Sequence, residues 1–232
     1  MKSIIFISAL IFGFSSQIFA GGADDPVLTK VMINELETSD EKGDPLTLDA
    51  EIWVGKDLNK FWIKTDVERL DGVTEESEIQ LLYSRAISAY WDLQTGVRHD
   101  DTDGLTQDWV VIGFDGQAPY FIDMDAALFV AESGQASLRV NAEYEMMLTQ
   151  RLVLSPEATV TFYTKDDPDR GIGSGLSGID AAIRLRYEIK REFAPYIGLS
   201  WSNKFSATAD MANANGAESS DFAVVVGFSA WF

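Results

Sequence analysis

Apolar and polar residues alternate with a period of two along most of this 232-residue chain. In the stretch "DAAIRLRYEIK", Ile183 and Leu185 lie on one face of an extended strand. Arg184 and Arg186 lie on the opposite face, whereas a helix would spread these charges around its circumference. The stretches "LDAEIWV", "FWIKTDVE", "YFIDMDAALFV" and "SLRVNAEYEM" alternate in the same way. The pattern therefore predicts an all-β protein whose strands each have one apolar face and one polar face.

The alternating runs predict about twelve strands, each long enough to cross a lipid bilayer obliquely. They fall near residues 30–38, 46–55, 58–70, 75–88, 90–99, 107–117, 119–131, 136–147, 151–164, 177–191, 193–204 and 220–232. The last run, "DFAVVVGFSAWF", is the most apolar, and it predicts a terminal strand that closes a barrel by pairing with the first strand.

The connections between these strands fall into two classes. Tight segments such as "GKDLN" and "REFAP" alternate with longer acidic or glycine-rich segments such as "LDGVTEES", "DDTDGLTQ" and "TKDDPDRGIGSGLS", with the short "ESGQ" as an exception. Bacterial outer-membrane barrels have short periplasmic turns and longer outer loops. We therefore predict an antiparallel transmembrane β-barrel in the outer membrane. A soluble lipocalin-like barrel or a sandwich also alternates, but its strands are usually shorter than these.

Composition narrows the class of protein further. The chain is 46% hydrophobic, which is too rich for a disordered protein, and its formal charge of -19 argues against a nucleic-acid partner. The first twenty residues, "MKSIIFISALIFGFSSQIFA", have one lysine, an apolar run and a small residue at the end, as a cleaved export signal does. The predicted organisation is a signal peptide at 1–20, a short extension at 21–29 and a barrel domain at 30–232.

The polar strand faces carry the acidic residues that a barrel would turn into its lumen. These lumen candidates are Asp49, Glu51, Asp66, Glu68, Asp123, Asp125, Glu143 and Glu145. Basic residues such as Lys64, Arg139 and Arg184 share the same faces. The interior can therefore hold a network of structural ion pairs or line an aqueous path, and the sequence leaves both interpretations open.

Motifs typical of enzymes are weak in this sequence. "GIGSG" lacks the Lys and the following helix of a phosphate-binding loop, and "DDTDG" and "DDPDRG" lack the full carboxylate series of an EF-hand. The absence of cysteine excludes thiol catalysis and thiolate metal sites. A Ser-His hydrolase would have to use the single histidine, His99, and no serine stands in a G-x-S-x-G motif. We expect no enzyme, with an outer-membrane phospholipase as an alternative.

Several stretches are more specific than a generic barrel. "LLYSRAI", "GVRHD", "GIGSGLS", "RYEIKREFAPY" and the final "WF" resemble the copper resistance protein B family of outer-membrane proteins, and the resemblance covers nearly the whole mature chain. It implies a barrel that binds copper ions and takes part in copper homeostasis and resistance. It also implies contact with outer-membrane lipid and with periplasmic copper-handling proteins.

One departure from the family concerns the copper ligands. Many members carry a Met- and His-rich segment before the barrel, whereas "GGADDPVLTK" contains neither residue. His99, in the matching "GVRHD", neighbours Asp100, Asp101 and Asp103, and an imidazole among carboxylates can bind copper(II). These four residues are the candidate metal ligands, at the outer rim if the termini are periplasmic. However, His99 shares its strand face with Val97, which would face lipid.

The resulting functional hypothesis combines these features. Acidic outer loops would concentrate the cation, the His99 region would offer a transient site, and inward carboxylates would line a path across the outer membrane. A structural barrel with a closed lumen and no metal role is the main alternative.

Overall fold

The chain folds into a closed antiparallel barrel of twelve strands, as the computed structural model of residues 25–232 shows. Each strand pairs with its neighbours in the sequence, and the first strand pairs with the last. The predicted fold class is therefore confirmed. The predicted signal peptide at 1–20 lies outside the described residues.

The twelve strands have 9 to 14 residues each. They are β1 (Leu28–Ser39), β2 (Leu46–Lys56), β3 (Asn59–Leu70), β4 (Val73–Ala86), β5 (Trp91–Thr102), β6 (Leu105–Ala118), β7 (Ile122–Ala131), β8 (Ala136–Tyr144), β9 (Leu152–Tyr163), β10 (Gly175–Tyr187), β11 (Phe193–Lys204) and β12 (Ser220–Trp231). The pair Met146–Met147 extends β8 beyond Glu145 and also contacts β9.

The terminal strands close the barrel as the sequence predicts. β1 and β12 pair antiparallel, with Met32 opposite Trp231 and Ser39 opposite Val225. A bulge between Ile33 and Leu36 shifts the register within β1. Because every strand edge is paired, the backbone hydrogen bonds are satisfied within the sheet, which is the condition for crossing a bilayer with strands.

The barrel is turned inside out relative to a soluble protein. Its outer surface exposes large apolar side chains on every side, including Ile52, Phe61, Val110, Ile197 and Val226. Most inward positions are polar or charged. One small apolar cluster lies inside, against β4 to β7, and consists of Leu82, Trp109, Val111, Ala127, Phe129 and Ala131. An apolar belt around a polar interior is the pattern of a transmembrane barrel.

Two outer connections are much shorter than the sequence suggested. "LDGVTEES" and "DDTDGLTQ" were expected to be long loops, but only Asp71-Gly72 and Asp103-Gly104 lie outside the strands. Both pairs have positive φ angles, 52° and 80° in the first and 52° and 81° in the second. Two successive left-handed residues build a tight hairpin turn, and Asp-Gly is a favoured sequence for it. The Asp-Gly dipeptide is therefore the sequence signal that indicates a short turn at both places.

The two longest outer connections pack against each other. Residues 205–219 contain the helix α1 (Ser206–Ala214), and residues 164–174 contain the "GIG" glycines. Thr208 of α1 is buried, and its hydroxyl accepts a hydrogen bond from the backbone N–H of Gly173 at 2.8 Å. The same hydroxyl lies 2.9 Å from that of Ser177 at the start of β10.

In the described part of the chain, no helix has the length and hydropathy that crossing a membrane requires.

The opposite end of the barrel has short turns and exposed aromatics. Tyr120 and Phe121, between β6 and β7, have positive φ angles of 69° and 62° and are 84% and 75% exposed. Bulky residues rarely adopt this conformation, so the turn holds both rings outward against a conformational cost. Aromatic side chains at this level are typical of the membrane interface.

Candidate functional site

The lumen is the candidate functional site because it concentrates most of the charged side chains of the strands. Asp49, Asp66, Asp125 and Glu143 are partly shielded from solvent. Glu68, Asp123 and Glu145 are more exposed, near the two mouths. The alternation of the strands fixes these directions, since inward positions recur at every second residue.

Three groups of ion pairs each include a contact that crosses the lumen between strands that are not neighbours. Lys64 on β3 contacts Asp125 on β7, and these strands lie four of twelve strands apart, or a third of the circumference. Arg139 on β8 contacts Glu78 on β4, again four strands away. Arg184 on β10 reaches β1, three strands away through the closure. Any ion that passes through the barrel must pass these crossings.

The Lys64 crossing lies in the half of the lumen near the short turns. Its ammonium Nζ is 3.2 Å from Asp125, 3.6 Å from Glu51 and 3.7 Å from Asp115. The same Nζ lies 5.7 Å from the ring centroid of Trp62, within cation–π distance. One flexible cation is therefore shared among carboxylates of three strands.

The Arg139 crossing belongs to a denser network in the outer half of the lumen. Glu78 accepts hydrogen bonds from Arg139 at 2.9 and 3.1 Å, and it also pairs with Arg98 at 2.8 Å. Arg98 binds Asp100 through two contacts of 2.5 and 2.7 Å. Both guanidinium groups stack on Phe129, with their Cζ atoms 4.5 and 5.4 Å from its ring centroid. This network rests on the apolar cluster and narrows that side of the interior.

The Arg184 crossing joins β10 to β1 through glutamates. Arg184 lies 2.6 Å from Glu35, 2.7 Å from Glu157 and 3.1 Å from Glu37. The hydroxyl of Tyr196 donates a hydrogen bond of 2.9 Å to Glu37. A guanidinium with this many carboxylate partners is held firmly, because its planar donors satisfy several oxygens at once.

One wall of the lumen, which we call the acidic wall, carries four carboxylates that form no salt bridge in the described part of the chain. Its members are Asp49, Asp66, Glu68 and Glu76, on β2, β3 and β4. Asp49 lies directly opposite Asp66, and Glu68 lies opposite Glu76. Asp49 receives one hydrogen bond of 2.9 Å, from the amide of Asn34. Neighbouring carboxylates repel each other, so this wall attracts cations.

The remaining lumen candidates have separate surroundings. Asp123 accepts a hydrogen bond of 3.1 Å from Gln117 near the mouth that carries the short turns. Arg186 forms an ion pair with Glu145 and lies 3.9 Å from Glu143. These residues therefore take part in local pairing, unlike those of the acidic wall.

The proposed copper ligands around His99 do not converge. β5 extends to Thr102, beyond the predicted end at residue 99, so strand alternation sends adjacent side chains to opposite faces. His99 lies on the outer face, where its Nδ1 is 2.7 Å from Asp108. Asp100 is buried in the lumen with Arg98, and Asp101 accepts a hydrogen bond from the backbone N–H of Gly104.

Asp103 lies in the hairpin turn between β5 and β6. Each of the four proposed ligands therefore has different surroundings. Among residues 25–232, no three side chains of His, Asp or Glu form a cluster suited to a metal ion. In this part of the chain, the side chain that contacts the His99 ring is Asp108.

The outer mouth is acidic as well. Burial raises the pKa of Glu41, in the loop between β1 and β2, and the nearby Asp221 carboxylate raises it further. The contributions of Asp221 and of the neighbouring Asp40 to this raised pKa reflect negative charge at the entrance.

The similarity of this chain to known proteins identifies its family. A family model described as copper resistance protein B precursor (CopB) matches residues 27–232. The chain belongs to the copper resistance protein B family. It is 38% identical over 210 residues to copper resistance protein B of Escherichia coli, a match that covers 90% of this chain and 71% of that protein. The homolog from Pseudomonas syringae pv. tomato has the same identity and coverage.

Solved structures support the fold of this copper resistance protein B family member. The NanC porin aligns with a TM-score of 0.54 and 10% identity, covering 88% of this chain and 99% of the porin. The KdgM porin aligns with a TM-score of 0.53 at the same identity and coverage. At such low identity, these likenesses concern the fold alone. The closed sheet and its apolar outer belt are those of a bacterial outer-membrane barrel.

Sequence reasoning missed part of the lumen of this copper resistance protein B family member. Glu35, Glu37 and Glu78 were absent from the candidates, although they contribute to two of the three crossings. Alternation in "EIQLLYSR" could have identified Glu78 as inward. The bulge in β1 changes the inward positions of that strand, so alternation alone was insufficient there.

Proposed function

We propose that this protein contributes to copper resistance by passing copper ions through its lumen, and that it does so without catalysing a reaction. The observation that carries the proposal is the acidic wall, whose carboxylates lie opposite one another and form no salt bridge in the described residues. A low-dielectric channel lined by one sign of charge concentrates the opposite ion. Copper(II) is a suitable cargo because it accepts oxygen ligands.

The spacing of the carboxylates favours transit over storage. Within residues 25–232, no group of three His, Asp or Glu side chains is arranged to hold a metal ion tightly. Conduction requires ions to bind strongly enough to enter and weakly enough to leave. The pairs Asp49–Asp66 and Glu68–Glu76, which follow each other along β3, would provide weak successive contacts of this kind.

The test is a copper flux measurement on the refolded full-length barrel in liposomes. A double variant, Asp49→Asn with Asp66→Asn, removes two charges from the acidic wall and preserves side-chain size. We expect copper(II) entry to fall about tenfold, because the local cation concentration falls with the lost potential. A matched control, Asp108→Asn with Glu132→Gln, removes two charges from exposed positions outside the lumen and should leave the flux unchanged.

Two results would contradict the proposal. Equal copper flux in the wild type and the acidic-wall variant would remove these carboxylates from the path. A wild-type flux no greater than that of empty liposomes would favour the structural alternative, in which the ion pairs that cross the lumen close it. Native-like mobility of each variant on unheated gels provides the folding control.

A further inference from the structure

The three lumen crossings differ in how firmly their cations are held. Arg184 and Arg139 form hydrogen bonds of 2.6 to 3.3 Å with their carboxylates, through several guanidinium nitrogens. Lys64 contacts its three carboxylates at 3.2 to 3.7 Å through a single ammonium group. A planar guanidinium is fixed by paired donors, whereas an ammonium on a four-carbon stem can exchange partners easily. Lys64 is therefore the crossing that can be rearranged at the lowest cost.

The Lys64 ammonium lies where it can act on an ion that passes through the lumen. Its carboxylate partners come from β2, β6 and β7, so the positive charge is placed away from its own strand and within the lumen. Its side chain is 15% exposed, so solvent still reaches it. A positive charge in this position repels a passing cation and also neutralises the carboxylates that would otherwise attract one.

We propose that Lys64 is a selectivity-determining residue that limits cation passage through the lumen as a tethered positive charge. It occupies the space between Glu51, Asp115 and Asp125, and a cation passes when the ammonium moves aside. This inference rests on the proposed function, since it concerns the same lumen. It adds a residue that opposes transport to the residues of the acidic wall that favour it.

The experiment compares single-channel currents of the refolded barrel in planar bilayers. Lys64→Gln removes the charge and retains a polar side chain of similar length, and Lys64→Arg keeps the charge. Lys60→Gln is the matched control, because Lys60 is on the same strand and also faces inward, but it pairs with Asp92 alone at 3.1 Å. Reversal potentials in a gradient of potassium chloride report the ratio of cation to anion permeability, and copper(II) chloride provides a second cation.

We expect Lys64→Gln to raise the cation-to-anion permeability ratio about tenfold, since it unmasks three carboxylates in a narrow channel. Lys64→Arg should resemble the wild type, and Lys60→Gln should change the ratio much less. An unchanged ratio in Lys64→Gln would overturn the inference, and so would an equal rise in both glutamine variants.

The role of Lys64 and the proposed passage of copper can each fail without the other. If the wild type carries copper but Lys64→Gln has the same selectivity, only the role of Lys64 fails. If the wild type carries no current and Lys64→Gln becomes cation-selective, the role of Lys64 stands and the proposed passage through the wild-type barrel fails. Thermal unfolding of each variant, followed by gel mobility, shows whether the barrel remains folded.

Discussion

At the scale of single residues, the direction of a side chain matters more than its position in the sequence. His99 and Asp100 are neighbours in the chain, yet one lies on the outer face and the other is bound to Arg98 in the lumen. The sequence correctly indicated that His99 shares a face with Val97. It could not show that Asp108 would provide the partner of His99, because that contact depends on the register between β5 and β6.

His99→Ala should therefore leave copper flux unchanged. The imidazole is on the outer face, and its contact with Asp108 is solvent-exposed, so its loss should cost at most about 1 kcal/mol of stability. The measurement is copper(II) entry into liposomes that contain the variant barrel. The acidic-wall variant serves as a positive control for lost flux. A clear decrease in a well-folded His99→Ala barrel would return the histidine to the pathway.

At the scale of the strands and turns, alternation predicted about the right number of elements and misjudged several of their ends. β4 begins at Val73 and β6 at Leu105, each two residues before the predicted position. The acidic residues near these ends resemble loop residues in composition. They are nevertheless compatible with strands, because the hairpins extend beyond the apolar belt and an Asp-Gly pair makes the turn.

Gly104→Ala should weaken the hairpin between β5 and β6. Gly104 has a φ of 81°, and nothing lies within 4 Å of an added Cβ, so the expected cost comes from the backbone and not from crowding. A left-handed conformation costs a non-glycine residue about 1 kcal/mol. The free energy of unfolding, measured by denaturant titration in detergent, should fall by about that amount.

Gly178→Ala is the matched control for this turn variant. Gly178 lies within β10, has no left-handed φ, and an added Cβ would meet its nearest neighbour at 3.7 Å. If both variants lost the same stability, the cost would not arise from the turn conformation.

At the scale of the whole molecule, the two faces of the sheet were predictable and the contacts across the lumen were not. Period-two alternation identifies inward and outward residues from short stretches of sequence. The cross-lumen partners Asp125 of Lys64 and Glu37 of Arg184 lie four and three strands away, so these contacts depend on closure of the barrel and on its stagger. Alternation within a strand contains no information about either quantity.

The clearest test of the whole architecture places a charge on the lipid-facing surface. Val226 lies near the middle of β12, is 52% exposed and is paired with Ile197. Val226→Arg should destabilise the folded barrel in lipid bilayers by about 2–4 kcal/mol, which is the cost of arginine near the bilayer midplane. Glu132→Arg introduces the same side chain at an exposed outer turn and should fold normally. Equal folding of the two variants in bilayers would contradict the position of Val226 in the hydrocarbon region.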